Sequence, residues 1–116
     1  MAQSILLVED EAIVAMDLKL QLEDEGFTVV GPAPTVRRAL ALIEETPPDF
    51  AILDVNLNGA TSREIAEQLV ACGTGFLYLS GYSGSAILDT LPPGRLVQKP
   101  VSFPALLRAI TEEMSG

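Results

Sequence analysis

The sequence lacks histidine and tryptophan, and it has a single cysteine among its 116 residues. The absence of histidine excludes His-dependent catalytic triads, histidine metal sites and any role as the carrier of a phosphohistidine. Cys72 cannot form an internal disulfide, and its apolar helical position predicts a buried, inert thiol. Whatever chemistry the chain performs must therefore use carboxylates, hydroxyls and lysine.

Basic residues are also scarce. Lys and Arg number 7 against 16 Asp and Glu, which gives a formal net charge of −9, and such a chain repels nucleic acid and anionic membranes. No uncharged apolar run approaches the roughly 18 residues of a membrane span. The first residues have no basic region, and Glu9 and Asp10 interrupt the apolar stretch too early for a signal peptide. We therefore expect a cytoplasmic protein that binds neither nucleic acid nor membranes.

Short apolar runs recur along the whole chain, and its length suits one domain of residues 1–116, because domains typically hold about 100 to 150 residues. Continuous apolar runs are typical of strands that are buried on both faces of a parallel sheet. Five such runs are predicted strands: residues 4–8, 27–30, 50–53, 76–79 and 95–98. The second of them is expected to end at Gly31-Pro32.

Helical periodicity fills the intervals between these runs. Residues 12–25 repeat apolar side chains at helical spacing on two overlapping sets, one of Val14, Leu18 and Leu22 and one of Ile13, Met16 and Leu20. Further helices are predicted from Thr35 to the Pro47-Pro48 pair, around Ile65 to Cys72, and after Ser102. The Gly- and Ser-rich segment before Pro92-Pro93-Gly94 predicts at most a short or irregular helix. Alternating strands and helices indicate βαβ units, right-handed crossovers and a parallel sheet.

Polar side chains follow four of the predicted strands. Glu9 and Asp10 follow the first strand and Asp54 the third, while Ser80 follows the fourth and Lys99 the fifth. In such a sheet, ligands bind outside the carboxyl ends of the strands, where the strand order reverses. Neighbouring carboxylates there would repel one another by about 4 kcal/mol per close pair at an effective dielectric near 20.

A cation is therefore expected at this edge, and hard oxygen ligands suit Mg²⁺, which completes its coordination shell with water and a substrate phosphate. Lys99 would supply a positive charge for a phosphoryl oxygen, and the Ser80 hydroxyl would supply a hydrogen-bond donor. The set predicts phosphoryl transfer onto a carboxylate, a reaction in which catalysis consists of positioning and charge neutralisation.

Four segments carry a resemblance to a known family. They are residues 5–11 (Ile-Leu-Leu-Val-Glu-Asp-Glu), 51–57 (Ala-Ile-Leu-Asp-Val-Asn-Leu), 79–81 (Leu-Ser-Gly) and 97–100 (Val-Gln-Lys-Pro). With them, the chain resembles the CheY-like receiver domains of response regulators over essentially its full length. The resemblance implies an α/β fold with a flavodoxin-like, doubly wound parallel sheet of five strands in the order 2-1-3-4-5.

By the same resemblance, Asp54 is the phosphoacceptor, which takes a phosphoryl group from a phosphohistidine in a Mg²⁺-dependent reaction. The implied metal ligands are Glu9 (through water), Asp10, Asp54 and the backbone carbonyl of Asn56. The implied partners are a sensor histidine kinase or a histidine phosphotransfer protein, and a downstream protein target. A receiver is a signalling protein of a two-component system or phosphorelay, not an enzyme, and it catalyses only its own phosphorylation and slow dephosphorylation.

The resemblance also assigns the remaining polar residues. Ser80 takes the place of the switch hydroxyl, Lys99 that of the phosphate-binding lysine, and the bond from Lys99 to Pro100 that of the family's cis peptide. Where the family often has an aromatic switch residue, three positions before the lysine, this chain has Leu96. Tyr82 is the nearest aromatic candidate for the switch, and residues 78–82 resemble the aromatic-x-Thr/Ser-Gly-Tyr motif of receivers that pair with HWE-type histidine kinases.

Other readings start from the same residues. The segment 54–59 matches the first half of an EF-hand calcium loop, but the glutamate required at loop position 12 is replaced by Ile65. An aspartate-nucleophile hydrolase would require an acid two residues after Asp54, where Asn56 stands. A degenerate receiver that only docks partners is a further alternative, although the acid pair, Asp54, Ser80 and Lys99 are all present.

Overall fold

The computed structural model describes residues 3–81 and 88–115, which form seven strands, four α-helices and one 3₁₀ turn. The strands are β1 Ser4–Val8, β2 Thr28–Ala33, β3 Phe50–Asp54, β4 Asn56–Leu57, β5 Ala60–Thr61, β6 Gly75–Ser80 and β7 Arg95–Gln98. The helices are α1 Ala12–Asp24, α2 Val36–Glu45, α3 Arg63–Cys72 and α4 Phe103–Ser115, and the 3₁₀ turn is Leu88–Thr90. None of the helices in the described ranges has both the length and the hydropathy that a membrane span needs.

Five of the strands form one parallel sheet in the order β2-β1-β3-β6-β7. Since β6 and β7 are the fourth and fifth strands predicted from the sequence, this is the predicted order 2-1-3-4-5. The flavodoxin-like α/β fold is therefore confirmed. The two short strands β4 and β5 form a separate antiparallel hairpin directly after β3.

The sheet is covered on both faces, as the continuous apolar runs predict. Alternate residues of a strand point to opposite faces, so Ile5 and Leu7 pack with α1 and α4 while Leu6 and Val8 pack with α2 and α3. These four side chains of β1 are completely buried. The central strands are thereby fixed by packing on both sides, and they carry the residues that follow them to one edge of the sheet.

Strand β2 is longer than predicted. It continues through Gly31-Pro32 to Ala33, with a register shift against β1. A proline is tolerated here because β2 lies at the edge of the sheet and no ladder requires its missing N–H, and Gly31 adopts a φ of +98° that favours glycine. The extension matters for the site, since the Glu9 backbone N–H donates to the Ala33 carbonyl at 3.0 Å.

The structure shows which apolar set of α1 is buried, and it corrects the expectation that Cys72 is buried. Leu18 and Leu22 of the first apolar set in α1 are buried. The second set is not, since Ile13, Met16 and Leu20 are 87%, 54% and 56% exposed. Cys72 is exposed, because it is the last residue of α3 and the chain turns away at Gly73, whose φ is +73°.

Between β6 and β7, where a short or irregular helix was expected, residues 82–87 lie outside the described residues, and the described part that follows them begins with the 3₁₀ turn. The following segment packs on the aromatic pair of Phe76 and Tyr78, whose rings meet edge to face at 5.3 Å. The Tyr78 hydroxyl donates to the Pro92 carbonyl at 2.7 Å. A Cβ at Gly94 would lie 2.9 Å from a Tyr78 ring carbon, so only glycine allows this close approach.

Candidate functional site

Three carboxylates meet at the carboxyl edge of the sheet, where the sequence predicts them. Glu9 and Asp10 follow β1 and Asp54 ends β3, and these two strands are hydrogen-bonded neighbours in parallel register. One carboxylate oxygen from each residue lies within 4.8 Å of the others. The donors are all hard oxygens at a spacing that one small cation can bridge, so the set fits Mg²⁺.

Lys99 joins the cluster from the other side. Its Nζ lies 3.1 Å from the Glu9 Oε2 and 3.1 Å from the Asp54 Oδ2. The lysine is held in place through its backbone, because its N–H donates to the Ser80 carbonyl at 2.7 Å. The peptide bond between Lys99 and Pro100 is cis, as expected.

Glu9 has the most unusual environment of these residues. Its side chain is fully buried, and its Oε1 accepts a hydrogen bond from the Glu11 backbone N–H at 3.1 Å. Burial raises the pKa of Glu9, and the negative charge of Asp54 raises it further, while the Glu11 N–H and Lys99 oppose the rise, so that the pKa reaches about 7. Burial alone would lower the pKa of Lys99, but the hydrogen bonds and charges of Asp54 and Glu9 raise it above its ordinary value.

The β4–β5 hairpin borders the site, and it was not among the elements predicted from the sequence. Its turn residues Asn58 and Gly59 have φ angles of +51° and +89°, which is the two-residue type I′ pattern favoured by Asn-Gly. The Asn58 backbone N–H donates to the Asp10 Oδ2 at 3.0 Å. The Gly59 N–H donates to the Asn56 side-chain Oδ1 at 3.1 Å. The Asn-Gly dipeptide was the available signal for this turn.

The hairpin register also determines where the Asn56 backbone carbonyl points. Asn56 pairs with Thr61, and the Ser62 N–H donates to the Val55 carbonyl at 3.1 Å in the adjacent pair. Hydrogen-bonded and non-hydrogen-bonded pairs alternate in antiparallel strands. The Asn56 carbonyl is therefore directed away from the partner strand. Asn56 also lines the cavity of about 410 Å³ at the sheet edge, together with Asp10, Glu11, Asp54, Gly81 and Lys99.

The calcium-loop alternative does not fit this geometry. Residues 54–59 end a buried strand and form the hairpin instead of an EF-hand loop, and Ile65, at loop position 12, is completely buried in α3. No oxygen ligand is available at that position.

The sequence model of one protein family, the response regulator receiver domain, matches residues 5–111 of the chain. The chain belongs to the response regulator receiver domain family.

Two known regulatory and chemotaxis proteins are similar to the chain over different lengths. The chain is 34% identical over 67 residues to the transcriptional regulatory protein PdtaR of Mycobacterium tuberculosis, a match that covers 58% of this chain and 33% of PdtaR. It is 27% identical to the chemotaxis protein CheY of Bacillus subtilis, with 99% of this chain and 100% of CheY covered. The chain thus spans about a third of the length of PdtaR and the whole length of CheY.

Solved receiver structures confirm the fold. A CheY-like response regulator receiver domain protein from Methanospirillum hungatei JF-1 superposes with a TM-score of 0.86 at 26% identity, and the match covers 99% of this chain and 95% of that one.

Ser80 and Tyr82 are the residues predicted to form a switch. Ser80 is buried at the end of β6 and pairs with Gln98, one residue before Lys99. Leu96, at the position where the family often has its aromatic switch, is 38% exposed on β7. Tyr82, the alternative switch candidate, lies outside the described residues.

Proposed function

We propose that Asp54 accepts a phosphoryl group from a phosphohistidine in a Mg²⁺-dependent reaction, and that this cytoplasmic chain signals through contacts with other proteins. One observation carries the proposal: the Asp54 carboxylate contacts Lys99 at 3.1 Å, and carboxylate oxygens of Glu9 and Asp10 lie within 4.8 Å of it. The proposed acceptor carboxylate is thus surrounded by the lysine ammonium and by two further carboxylates that could bind a metal ion. A docking-only receiver would not require all of these groups together.

Each residue has a distinct task in this proposal. An Asp54 carboxylate oxygen attacks phosphorus, and the phosphorus–nitrogen bond of the phosphohistidine breaks as the new phosphorus–oxygen bond forms. Lys99 leaves its ion pair with Asp54 to neutralise a phosphoryl oxygen, and Ser80 donates a hydrogen bond to another. Mg²⁺, held by Glu9 through water, Asp10, Asp54 and the Asn56 carbonyl, would supply the remaining positive charge.

Acetyl phosphate tests the acceptor without any partner protein. With Mg²⁺ present, we expect intact-mass spectrometry to show one added phosphoryl group on the parent and none on Asp54→Asn. The matched control is Asp24→Asn, at the exposed far end of α1, which should be labelled like the parent. Labelling that persists in Asp54→Asn would show that the acceptor is another residue.

The phosphodonor is proposed to be a sensor histidine kinase or a histidine phosphotransfer protein, and HWE-type kinases are the first to test. The donor protein would dock on α1, beside the site. Ile13 of α1 lines a groove of about 580 Å³, and Glu11 and Lys99 line the same groove. Replacing Ile13 with Ser should slow transfer from a phosphorylated kinase that labels the parent but leave labelling by acetyl phosphate unchanged. Equal slowing of both reactions would argue against docking on this face.

A further inference from the structure

The hairpin of β4 and β5 is fixed by buried side chains at its base and by the sequence of its turn. Val55 and Leu57 are buried at 3% exposure each, which fixes the base of the hairpin in the core. The turn depends on positive φ angles at Asn58 and Gly59. A Cβ at Gly59 would meet nothing within 4 Å, so a substitution there acts only through the conformation of the turn.

This turn contacts a group that electrostatic repulsion would otherwise displace. Asp10 stands beside two other carboxylates, Glu9 and Asp54, and like charges at this distance push one another apart. The Lys99 Nζ lies 3.1 Å from both Glu9 and Asp54, whereas the Asp10 carboxylate accepts a hydrogen bond from the Asn58 backbone N–H at 3.0 Å. The turn thus supplies Asp10 with a fixed donor.

The same hairpin also positions Asn56, a second candidate ligand beside Asp10. Its register directs the Asn56 carbonyl away from β5, and Asn56 lines the cavity together with Asp10. Two of the four proposed metal ligands therefore depend on one two-residue turn, although they lie on different parts of the chain.

We infer that the Asn58-Gly59 turn is a positioning element that sets the Mg²⁺ affinity of the site, by holding the Asp10 carboxylate and orienting the Asn56 carbonyl. The inference rests on the proposed function, since it assumes that Mg²⁺ binds at this cluster. Asn58 and Gly59 act through the ligands and need not touch the metal themselves. Outer groups that orient metal ligands commonly change metal affinity by about 10-fold to 100-fold when they are removed.

The experiment measures Mg²⁺ binding alone, by isothermal titration calorimetry on the unphosphorylated protein. Asn58→Pro removes the N–H donor and excludes a positive φ, so we expect the affinity to fall by about tenfold or more. Asn58→Gly keeps both the donor and the φ angle and should bind like the parent. Gly59→Ala strains the turn without a steric contact and should weaken binding by a smaller factor.

A matched control separates positioning from general destabilisation. Gly73 at the end of α3 also has a positive φ, +73°, and open space around its Cβ position. Gly73→Ala should therefore lower the melting temperature like Gly59→Ala but leave Mg²⁺ affinity unchanged. Circular dichroism at the titration temperature checks that each variant is folded.

The outcomes distinguish a failure of the proposed function from a failure of the inference about the turn. If the parent shows no Mg²⁺ binding, the proposed function fails and the inference fails with it. If the parent binds Mg²⁺ and the folded Asn58→Pro and Gly59→Ala variants bind it equally well, only the inference is overturned. Equal weakening by Gly59→Ala and Gly73→Ala would also overturn it, because the effect would then reflect stability.

Discussion

The negative and positive halves of the site stand on strands of opposite character. The acids follow β1 and end β3, central strands whose side chains are buried except for the half-buried Ser4 at the start of β1. The lysine follows β7, an edge strand in which Arg95, Leu96 and Gln98 are exposed. The core therefore fixes the carboxylates against their mutual repulsion, whereas the cation is delivered by a strand that relies on few contacts.

This contrast has an energetic consequence. The carboxylates cannot move apart without disturbing the core, so their repulsion is reduced by Lys99, by protonation of Glu9 or by a bound cation. The lysine, by contrast, sits where small changes can shift it. We expect substitutions of the acids or of Lys99 to change stability strongly. Substitutions of residues that only support β7 should change it little.

The largest effect is expected from removing the cation itself. Lys99→Met leaves the buried Glu9 and Asp54 carboxylates without their shared partner, and breaking such pairs costs roughly 3 to 5 kcal/mol. Urea denaturation of the metal-free protein at about pH 8, where Glu9 is ionised in the parent, should show this loss in the free energy of unfolding. The control is Lys19→Met on α1. A loss below that of the control would mean that the core tolerates the unpaired acids.

The next prediction concerns pH and Glu9. Its pKa is about 7 in the folded chain against 4.5 ordinarily, so the unfolded state releases this proton at lower pH than the folded state. The stability contributed by protonated Glu9 is complete below about pH 4.5 and is lost as the pH rises to about 7, a decrease of up to about 3 kcal/mol.

Denaturation curves in EDTA across this pH range test the prediction. Glu9→Gln should remove most of the decrease, because the neutral amide does not titrate, while Glu44→Gln on the exposed surface of α2 should retain it. An unchanged pH dependence in Glu9→Gln would assign the titration to another group.

The buried half of the molecule was more predictable than the exposed half. Continuous apolar runs predicted the sheet because a strand buried on both faces has few alternatives, and the polar residues that follow those runs predicted the carboxylate cluster. In α1 the periodicity gave two apolar sets, of which Leu18 and Leu22 are buried and Ile13 is 87% exposed. Spacing alone cannot tell which set faces the sheet.

Contacts between distant segments were not predictable for a related reason. The hairpin strands are only two residues long, too short for a period-2 pattern, so the Asn58 contact with Asp10 left no trace beyond the Asn-Gly pair. The hydrogen bond from the Tyr78 hydroxyl to the Pro92 carbonyl depends on how the segment before β7 folds back over β6. Ser80 ends β6 and Lys99 follows β7, so the predicted strands sufficed to put both residues at the carboxyl edge of the sheet.

A smaller effect is expected at Tyr78, which supports the segment leading into β7. Burial raises the pKa of Tyr78 to about 12, so its hydroxyl stays protonated and donates to Pro92 throughout the neutral range. Tyr78→Phe keeps the ring packing on Phe76 and should cost about 1 kcal/mol in urea denaturation. Hydrogen exchange should accelerate at residues 91–95 but not in β1. Uniform acceleration, or none, would contradict a local supporting role.

The smallest effect is expected at the other support of β7, the surface ion pairs of Arg95. Its Nη1 lies 2.8 Å from Glu112 and 3.5 Å from Glu113 on α4, but the side chain is 38% exposed, and surface pairs of this kind stabilise little. Arg95→Gln should therefore reduce stability less than Tyr78→Phe does.

Salt distinguishes this contribution from a packing role, because at about 1 M ionic strength surface charges are almost fully screened. The difference between Arg95→Gln and the parent should then disappear, as it should for Arg63→Gln, which loses a comparable exposed pair with Glu67. Labelling of Asp54 by acetyl phosphate should be unchanged in Arg95→Gln, since the Lys99 N–H remains bound to the Ser80 carbonyl at 2.7 Å. Slower labelling at unchanged stability would instead mean that the pairs of Arg95 help to place Lys99, and that the positive half of the site depends on α4 as well as on β6.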